Sequence, residues 1–407
     1  MPRHRTPEGR HPPMTPPAPP SRLPSLTGMR FLAAAMVFAV HGAAAGAFRD
    51  IGAAADYFRF FGNAGALGVS FFFVLSGFVL TWSARPTDTT TGFWRRRLLK
   101  IFPNHLVTFV VALVLLALIG TTVATKQTVV TLFLLHAWMP DSSYVEAANN
   151  VSWSLSVELL FYLSFPLLIK AVNKIRASRL WYAAGISALL VVLMPVIAQH
   201  LLPGTPHYSF LPVSWTQIWF VYVFPAVRLL EFLLGMIMAR ILLTGRWINL
   251  PIVPAAVLTV VAYLVPIYVD HNPLFNYAAF TIVPLALLIP AAAAADVQGR
   301  RTLVSTRPMV WLGEISFAFY LVHYLVLKFG HRAFGSQPNI FGQPSGPAWS
   351  TPVALAFLVG CFAVSVVAAW ALYAGVERPA MRRWSRPKNR RPRQDEPQPH
   401  GVPADAR

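Results

Sequence analysis

The chain has 407 residues, 56% of them hydrophobic and only 12% charged, with a formal charge of +19 and a mean hydropathy of +0.53. A soluble globular domain is excluded. The apolar runs, about 20 residues long and without the dyad alternation of barrel strands, predict an all-α polytopic membrane bundle. The positive charge does not mark a nucleic-acid partner, because the basic residues fall mostly in tails and short segments between apolar runs.

In chain order, residues 1–24 are rich in Pro and Arg, lack apolar periodicity and read as a disordered cytoplasmic tail. A membrane domain over 25–379 follows. Its ten spans are predicted near 30–48, 66–82, 103–122, 153–171, 179–201, 213–240, 250–269, 274–295, 309–328 and 351–374. The stretch "KQTVVTLFLLHAW" at 126–138 is too short to cross and is expected at the interface or as a re-entrant piece. Residues 380–407 read as a second, basic, disordered cytoplasmic tail. With the N-terminus inside, the inner segments hold 28 of the 34 Lys and Arg, the outer segments five, and Arg228 lies within a span. That asymmetry predicts both termini to be cytoplasmic. A cleaved signal peptide, suggested by "AAAGA" after the first span, is the rival reading of that segment. Cys361 is the one cysteine, so no intrachain disulfide can form, and it reads as a packing residue.

Ionisable groups within spans are costly and therefore point to function. Here they are Arg30 and His41 in the first span, Glu158 in the fourth, Arg228 and Glu231 in the sixth, and Glu314 and His323 in the ninth. Eleven helical steps of about 100° leave His41 only about 20° from Arg30 in rotation and roughly 16 Å further along the axis. Both can line one cavity at different depths. Arg228 and Glu231, three residues apart, share a helix face.

The stretch "LTGMRFLAAAMVFAVHG" (26–42) resembles the arginine, ten residues, histidine signature of the acyltransferase family 3 membrane proteins. Five further pieces match that family in order: "GVSFFFVLSGFVL" (68–80), "FWRRRLLKIFP" (93–103), "VSWSLSVELLFYLSFPLL" (151–168), "PAVRLLEFLLG" (225–235) and "LGEISFAFYLVH" (312–323). Together they cover roughly 23–379. The resemblance implies an integral membrane O-acyltransferase with a ten-helix core. It would move an acyl group, acetyl most simply, from cytoplasmic acyl-CoA to a hydroxyl of a glycan or a glycosylated natural product such as a macrolide. No metal is implied.

On that resemblance His41 is the candidate general base, since an imidazole suits proton removal from a sugar hydroxyl at neutral pH. Interhelical glue is its structural alternative. Glu158 is the second catalytic candidate, as the group that orients the imidazole; a structural ion pair with Arg228 is the competing reading. Arg30, with Arg95, Arg96, Arg97 and Lys100 of the next inner loop, forms a basic collar for the phosphates of the donor, although topology alone accounts for part of that cluster. Arg228, Glu231 and His323 are acceptor-binding candidates, with scaffold or packing as their alternatives; Ser76 and Gly77 read as packing, and Glu314 is left unassigned. Lys100 stands where the family pattern suggests arginine, and His105 where an aromatic is commoner. Many relatives in that family carry an appended extracytoplasmic domain, so the bundle, alone or with a separate partner, is expected to complete the reaction. Arginine outnumbers lysine 28 to 6, which suits a GC-rich bacterial genome and hence the bacterial inner membrane. A transporter or flippase for a polar or lipid-linked solute is the alternative from another functional class.

Overall fold

Each of the ten predicted apolar runs contains a long helix in the computed structural model, which describes residues 22–85, 87–209, 211–269, 271–334 and 348–384. The tails expected at 1–24 and 380–407 fall outside these residues except at their inner edges. The helices are α1 (Pro24–Ala44), α2 (Ile51–Phe61), α3 (Ala64–Trp82), α4 (Thr90–Leu118), α5 (Thr125–Leu132), α6 (Ser142–Glu146), α7 (Trp153–Lys174), α8 (Leu180–Leu201), α9 (Trp215–Ile218), α10 (Pro225–Leu243), α11 (Ile252–Tyr268), α12 (Ile282–Val297), α13 (Arg307–Ala333), α14 (Thr351–Leu372) and α15 (Arg378–Trp384). Among the described residues there is no strand, only isolated bridges such as Phe48 with Trp349.

Eight helical segments are long and apolar enough to cross a membrane, and the chain is a multi-pass helical membrane bundle. The other two predicted spans correspond to α10 and α11. The former carries Arg228, Glu231 and Arg240 within its 19 residues. The latter has 17 residues, about 25 Å of rise, just short of the hydrocarbon core.

Three boundaries differ from the sequence reading, each for a local reason. Helix α4 begins at Thr90, capped by the Thr89 hydroxyl on the Gly92 N–H, so the basic cluster expected in a loop is helical. The sixth predicted span is interrupted: Ser214 and Gln217 form a capping box for α9, a π-turn covers Trp219–Val223, and Phe224 is extended before Pro225 opens α10. The eighth starts later than expected, because Pro273–Tyr277 is a 3-10 turn ahead of α12. At 126–138 the chain makes only α5 and a short turn at His136–Trp138.

Glycines bring the core helices close, as in many lipid-embedded bundles. A Cβ on Gly77 of α3 would lie 1.9 Å from the Phe232 carbonyl oxygen of α10, and one on Gly235 of α10 would lie 1.9 Å from the Val74 carbonyl oxygen of α3. The same closeness joins α1 to α13, where a Cβ on Gly313 would lie 1.9 Å from the Thr27 carbonyl oxygen. Phe73, Phe78, Phe161 and Phe232 fill the space around the first crossing.

Gly77→Ala and Gly235→Ala are each expected to cost about 1–3 kcal/mol through forced separation of two backbones. Gly185→Ala, where a Cβ meets nothing within 4 Å, is expected to leave stability unchanged or raise it. Thermal unfolding of the detergent-solubilised protein checks both; equal melting temperatures for all three variants would contradict the crossing.

Candidate active site

The α1–α13 contact decides where the first ionisable group sits. Beyond the Thr27–Gly313 approach, Phe31 and Phe38 of α1 pack against Phe319 of α13, with ring centroids 5.4 and 6.1 Å apart. This seam brings His41 to His323: Nδ1 of His41 lies 3.0 Å from Nε2 of His323. Nδ1 of His323 is 3.2 Å from the Phe319 carbonyl oxygen, and Tyr324 stands edge-on to His41 at 5.2 Å. His323 is completely buried. His41, by contrast, keeps some accessible surface.

The helical start of α4 sorts the basic residues. Arg97, Lys100 and Asn104 are three and four residues apart and share one face. On it Lys100 pairs with Glu377, Asn104 Nδ2 donates to Glu377 Oε2 at 2.7 Å, and Arg97 lies over the rings of Phe93 and Tyr162 at 5.6 and 5.9 Å. Arg96 instead pairs with Asp88 at 2.9 Å, and Arg95 is exposed. Of the five residues expected to form the basic collar, the structure thus gathers Arg30, Arg97 and Lys100. Arg30 makes no hydrogen bond or ion pair to another described residue, but its charge acts on Glu158, Lys100 and Arg97.

Glu158 belongs to this basic end. Its Oε2 accepts from the Tyr162 hydroxyl at 3.3 Å, and the cations acting on it are Arg30, Lys100 and Arg97. It contacts neither His41, which it was expected to orient, nor Arg228, its expected structural partner. The physical reason is the face of α7: Ser154, Glu158 and Tyr162 are spaced four apart and form one lane. At the other end of that lane Ser154 Oγ donates to the Tyr320 hydroxyl at 2.8 Å, which donates to the Val151 carbonyl at 3.1 Å. The Tyr320 ring lies 5.9 Å from His323. A polar lane bounded by α1, α4, α7 and α13 therefore runs from the basic cluster to the histidine pair.

Arg228 and Glu231 stand apart, in the α3–α10 core. Arg228 Nη1 is 2.6 Å from Glu231 Oε1, both side chains are almost wholly buried, and Nη2 donates to Ser70 Oγ at 3.1 Å. Phe73 and Tyr222 lie under the guanidinium at 5.0 and 5.5 Å. The pair is shut off from solvent, and Arg228 Nε and Glu231 Oε2 are left without a hydrogen-bond partner among the described residues. Glu314 is exposed, and Cys361 is a buried thiol. Among the described residues no three His, Cys, Asp or Glu side chains come together to hold a metal.

Sequence reasoning missed Glu377, Asn104 and Tyr162. Glu377 closes the π-turn Tyr373–Glu377 after α14 and is 1% exposed. The signal available was an acidic residue three positions beyond the last predicted span, which ends at 374.

The chain matches the family model described as an acyltransferase domain over residues 23–374. It is 43% identical to the acyltransferase MdmB of Streptomyces mycarofaciens over 366 residues, 89% of this chain and 92% of that protein. It is 24% identical to the O-acetyltransferase OatA of Staphylococcus aureus, over 66% of this chain and 47% of the relative. A putative peptidoglycan O-acetyltransferase of Bacillus subtilis, YrhL, is 28% identical over 65% of this chain and 44% of the relative. The chain thus spans under half the length of the last two. No solved structure matches it.

The closed geometry of Arg228 and Glu231 makes a separate prediction. Arg228→Ala or Glu231→Ala strands a buried charge and is expected to cost about 3–5 kcal/mol. The double variant Arg228→Met/Glu231→Leu removes both charges and is expected to regain the lost stability and retain turnover. Thermal unfolding and an acyl-transfer assay check this; a well-folded double variant with a raised acceptor KM would instead assign the pair to acceptor binding.

Proposed function

The chain belongs to the acyltransferase family 3 membrane proteins, and from that premise we propose that it transfers an acyl group, most simply acetyl, from cytoplasmic acyl-CoA to a sugar hydroxyl. The observation that carries this reading is the lane itself. One end presents a partly accessible imidazole, and the other presents Arg30, a cation with no counter-ion in direct contact among the described residues. The roughly 16 Å of rise between them suits an extended donor, phosphates at one end and thioester at the other.

The chemistry follows from these groups. His41 takes the proton of the acceptor hydroxyl as the oxygen attacks the thioester carbonyl. The tetrahedral intermediate collapses with cleavage of the carbon–sulfur bond. The imidazolium returns the proton to the departing thiolate, leaving an ester and free CoA. Arg30 and Arg97 hold the phosphates, with Lys100 shared between them and Glu377. Arg97 keeps a buried Nε without a hydrogen-bond partner, a donor that an anionic oxygen would satisfy. The names of the relatives support acetyl and a glycan hydroxyl, and a glycosylated metabolite such as a macrolide is an equally suitable acceptor.

The Lys/Arg asymmetry supports cytoplasmic termini and residence in a bacterial inner membrane. A cysteine at Ser142 is then expected to react with an impermeant thiol reagent in intact cells, and one at Ser178 to stay unlabelled. Labelling of the Ser178 variant from outside would reverse the orientation and remove the cytoplasmic donor site.

Turnover of labelled acetyl-CoA by the purified protein, with envelope glycans and metabolites extracted from the source cells as acceptors, tests the reaction. His41→Ala is expected to lower kcat by about 10²–10⁴-fold while CoA still binds. Arg30→Ala is expected to raise the donor KM by about 10–100-fold, as loss of a charge-assisted contact does, with Arg30→Lys recovering part. Arg96→Ala, removed from the lane by Asp88, is expected to match wild type. Wild-type turnover in His41→Ala would overturn the base assignment. Thioester that persists with every acceptor fraction would favour transport instead.

A further inference from the structure

We infer that His323 is a positioning residue that fixes which nitrogen of His41 acts as the base; this rests on the acyl-transfer reading above. The argument is a count of donors and acceptors. A backbone carbonyl can only accept, so the 3.2 Å contact of His323 Nδ1 with the Phe319 oxygen puts the proton of the neutral ring on Nδ1. Nε2 of His323 is then a lone pair, and its 3.0 Å contact with His41 requires a proton on His41 Nδ1. Neutral His41 therefore carries its free lone pair on Nε2. The chain runs from the Phe319 carbonyl through His323 to His41, and each link allows one tautomer only.

His323 supplies to His41 what a carboxylate supplies in a hydrolase triad: orientation, tautomer choice and an acceptor for the imidazolium that forms. When Nε2 of His41 takes the proton of the attacking hydroxyl, the Nδ1–H bond to His323 becomes charge-assisted and strengthens. His323 has no accessible surface, so it acts through His41 and does not touch the acceptor. The stack of Phe319 on His323, 5.8 Å between centroids, holds the ring plane.

The experiment has a spectroscopic arm and a kinetic arm, both on the full chain in lipid nanodiscs. With ¹⁵N-histidine labelling and a His41→Gln variant to assign the signals, solid-state NMR reads the His41 tautomer. The expected state is Nδ1 protonated and Nε2 bare in wild type, with both tautomers populated in His323→Phe. In the kinetic arm, with acetyl-CoA and the acceptor extract as probes, His323→Phe is expected to lower kcat by about 10–100-fold, as loss of an orienting partner does, with donor KM unchanged. His323→Gln, whose amide oxygen can accept from Nδ1–H, is expected to recover most of it.

A wild-type His41 protonated on Nε2 would overturn the inference, as would a His323→Phe variant with wild-type kcat. A His323→Gln variant that retains its melting temperature yet loses as much as His323→Phe would do the same. Failure of the acyl-transfer reading is distinguishable, because it shows as acetyl-CoA thioester that persists with the wild-type protein and every acceptor fraction, whatever the tautomer of His41.

Discussion

A polar group inside lipid must find its partner within the protein, and the whole interior of this bundle is arranged by that requirement. Two kinds of solution stand side by side. Arg228 and Glu231 pair at 2.6 Å, with Ser70 and two aromatic rings around them, and are shut off from solvent, although Arg228 Nε and Glu231 Oε2 have no hydrogen-bond partner among the described residues. Arg30 and His41 are instead partly accessible, on a helix whose other polar neighbours are already engaged. The distinction between closed and open groups separates scaffold from candidate chemistry more sharply than residue type does, since an arginine occurs in each class.

Backbone contact at glycine sets the positions from which those side chains reach. Because Gly313 lets α13 lie against Thr27, the Phe31, Phe38 and Phe319 rings form one seam and the two histidines meet at its far end. Gly77 and Gly235 do the same for α3 and α10, where the closed Arg228–Glu231 pair sits within the interface it charges. Packing thus comes before electrostatics here: the glycine contacts fix the helix register, and the register decides which side chains meet.

Much of the fold was legible because it depends on one segment at a time. Apolar run lengths gave the helices, and the eleven-residue spacing put Arg30 and His41 on one face. What stands opposite that face is a property of two segments, and a single helix does not record it. Glu158 is the clearest example. Its residue type suggested an imidazole partner, yet the register of α7 aligns it with Tyr162 and the cations at the other end of the lane. Lys100 shows the same limit, since its partner Glu377 is 277 residues away. The misplaced start of α4 had a different cause: a basic run reads as loop, but Thr89 caps the helix ahead of it, and the long side chains can extend to the polar boundary.

The separation of charge along the lane gives these contacts a common logic. Every charged residue gathered on the lane (Arg30, Arg97, Lys100, Glu158 and Glu377) lies at one end, whereas His41 at the other meets a second imidazole and tyrosine. A carboxylate beside His41 would bind its proton more firmly, but it would also have to be buried as an anion far from the cations. A neutral histidine held by a backbone carbonyl supplies direction at a lower desolvation cost. The proposed donor has the same polarity, anionic phosphates at one end of a long arm and a neutral thioester at the other. Such a lane favours the donor in one orientation only. Reversal would bring phosphates to the uncharged histidine pair and the thioester among cations that have no charge there to meet.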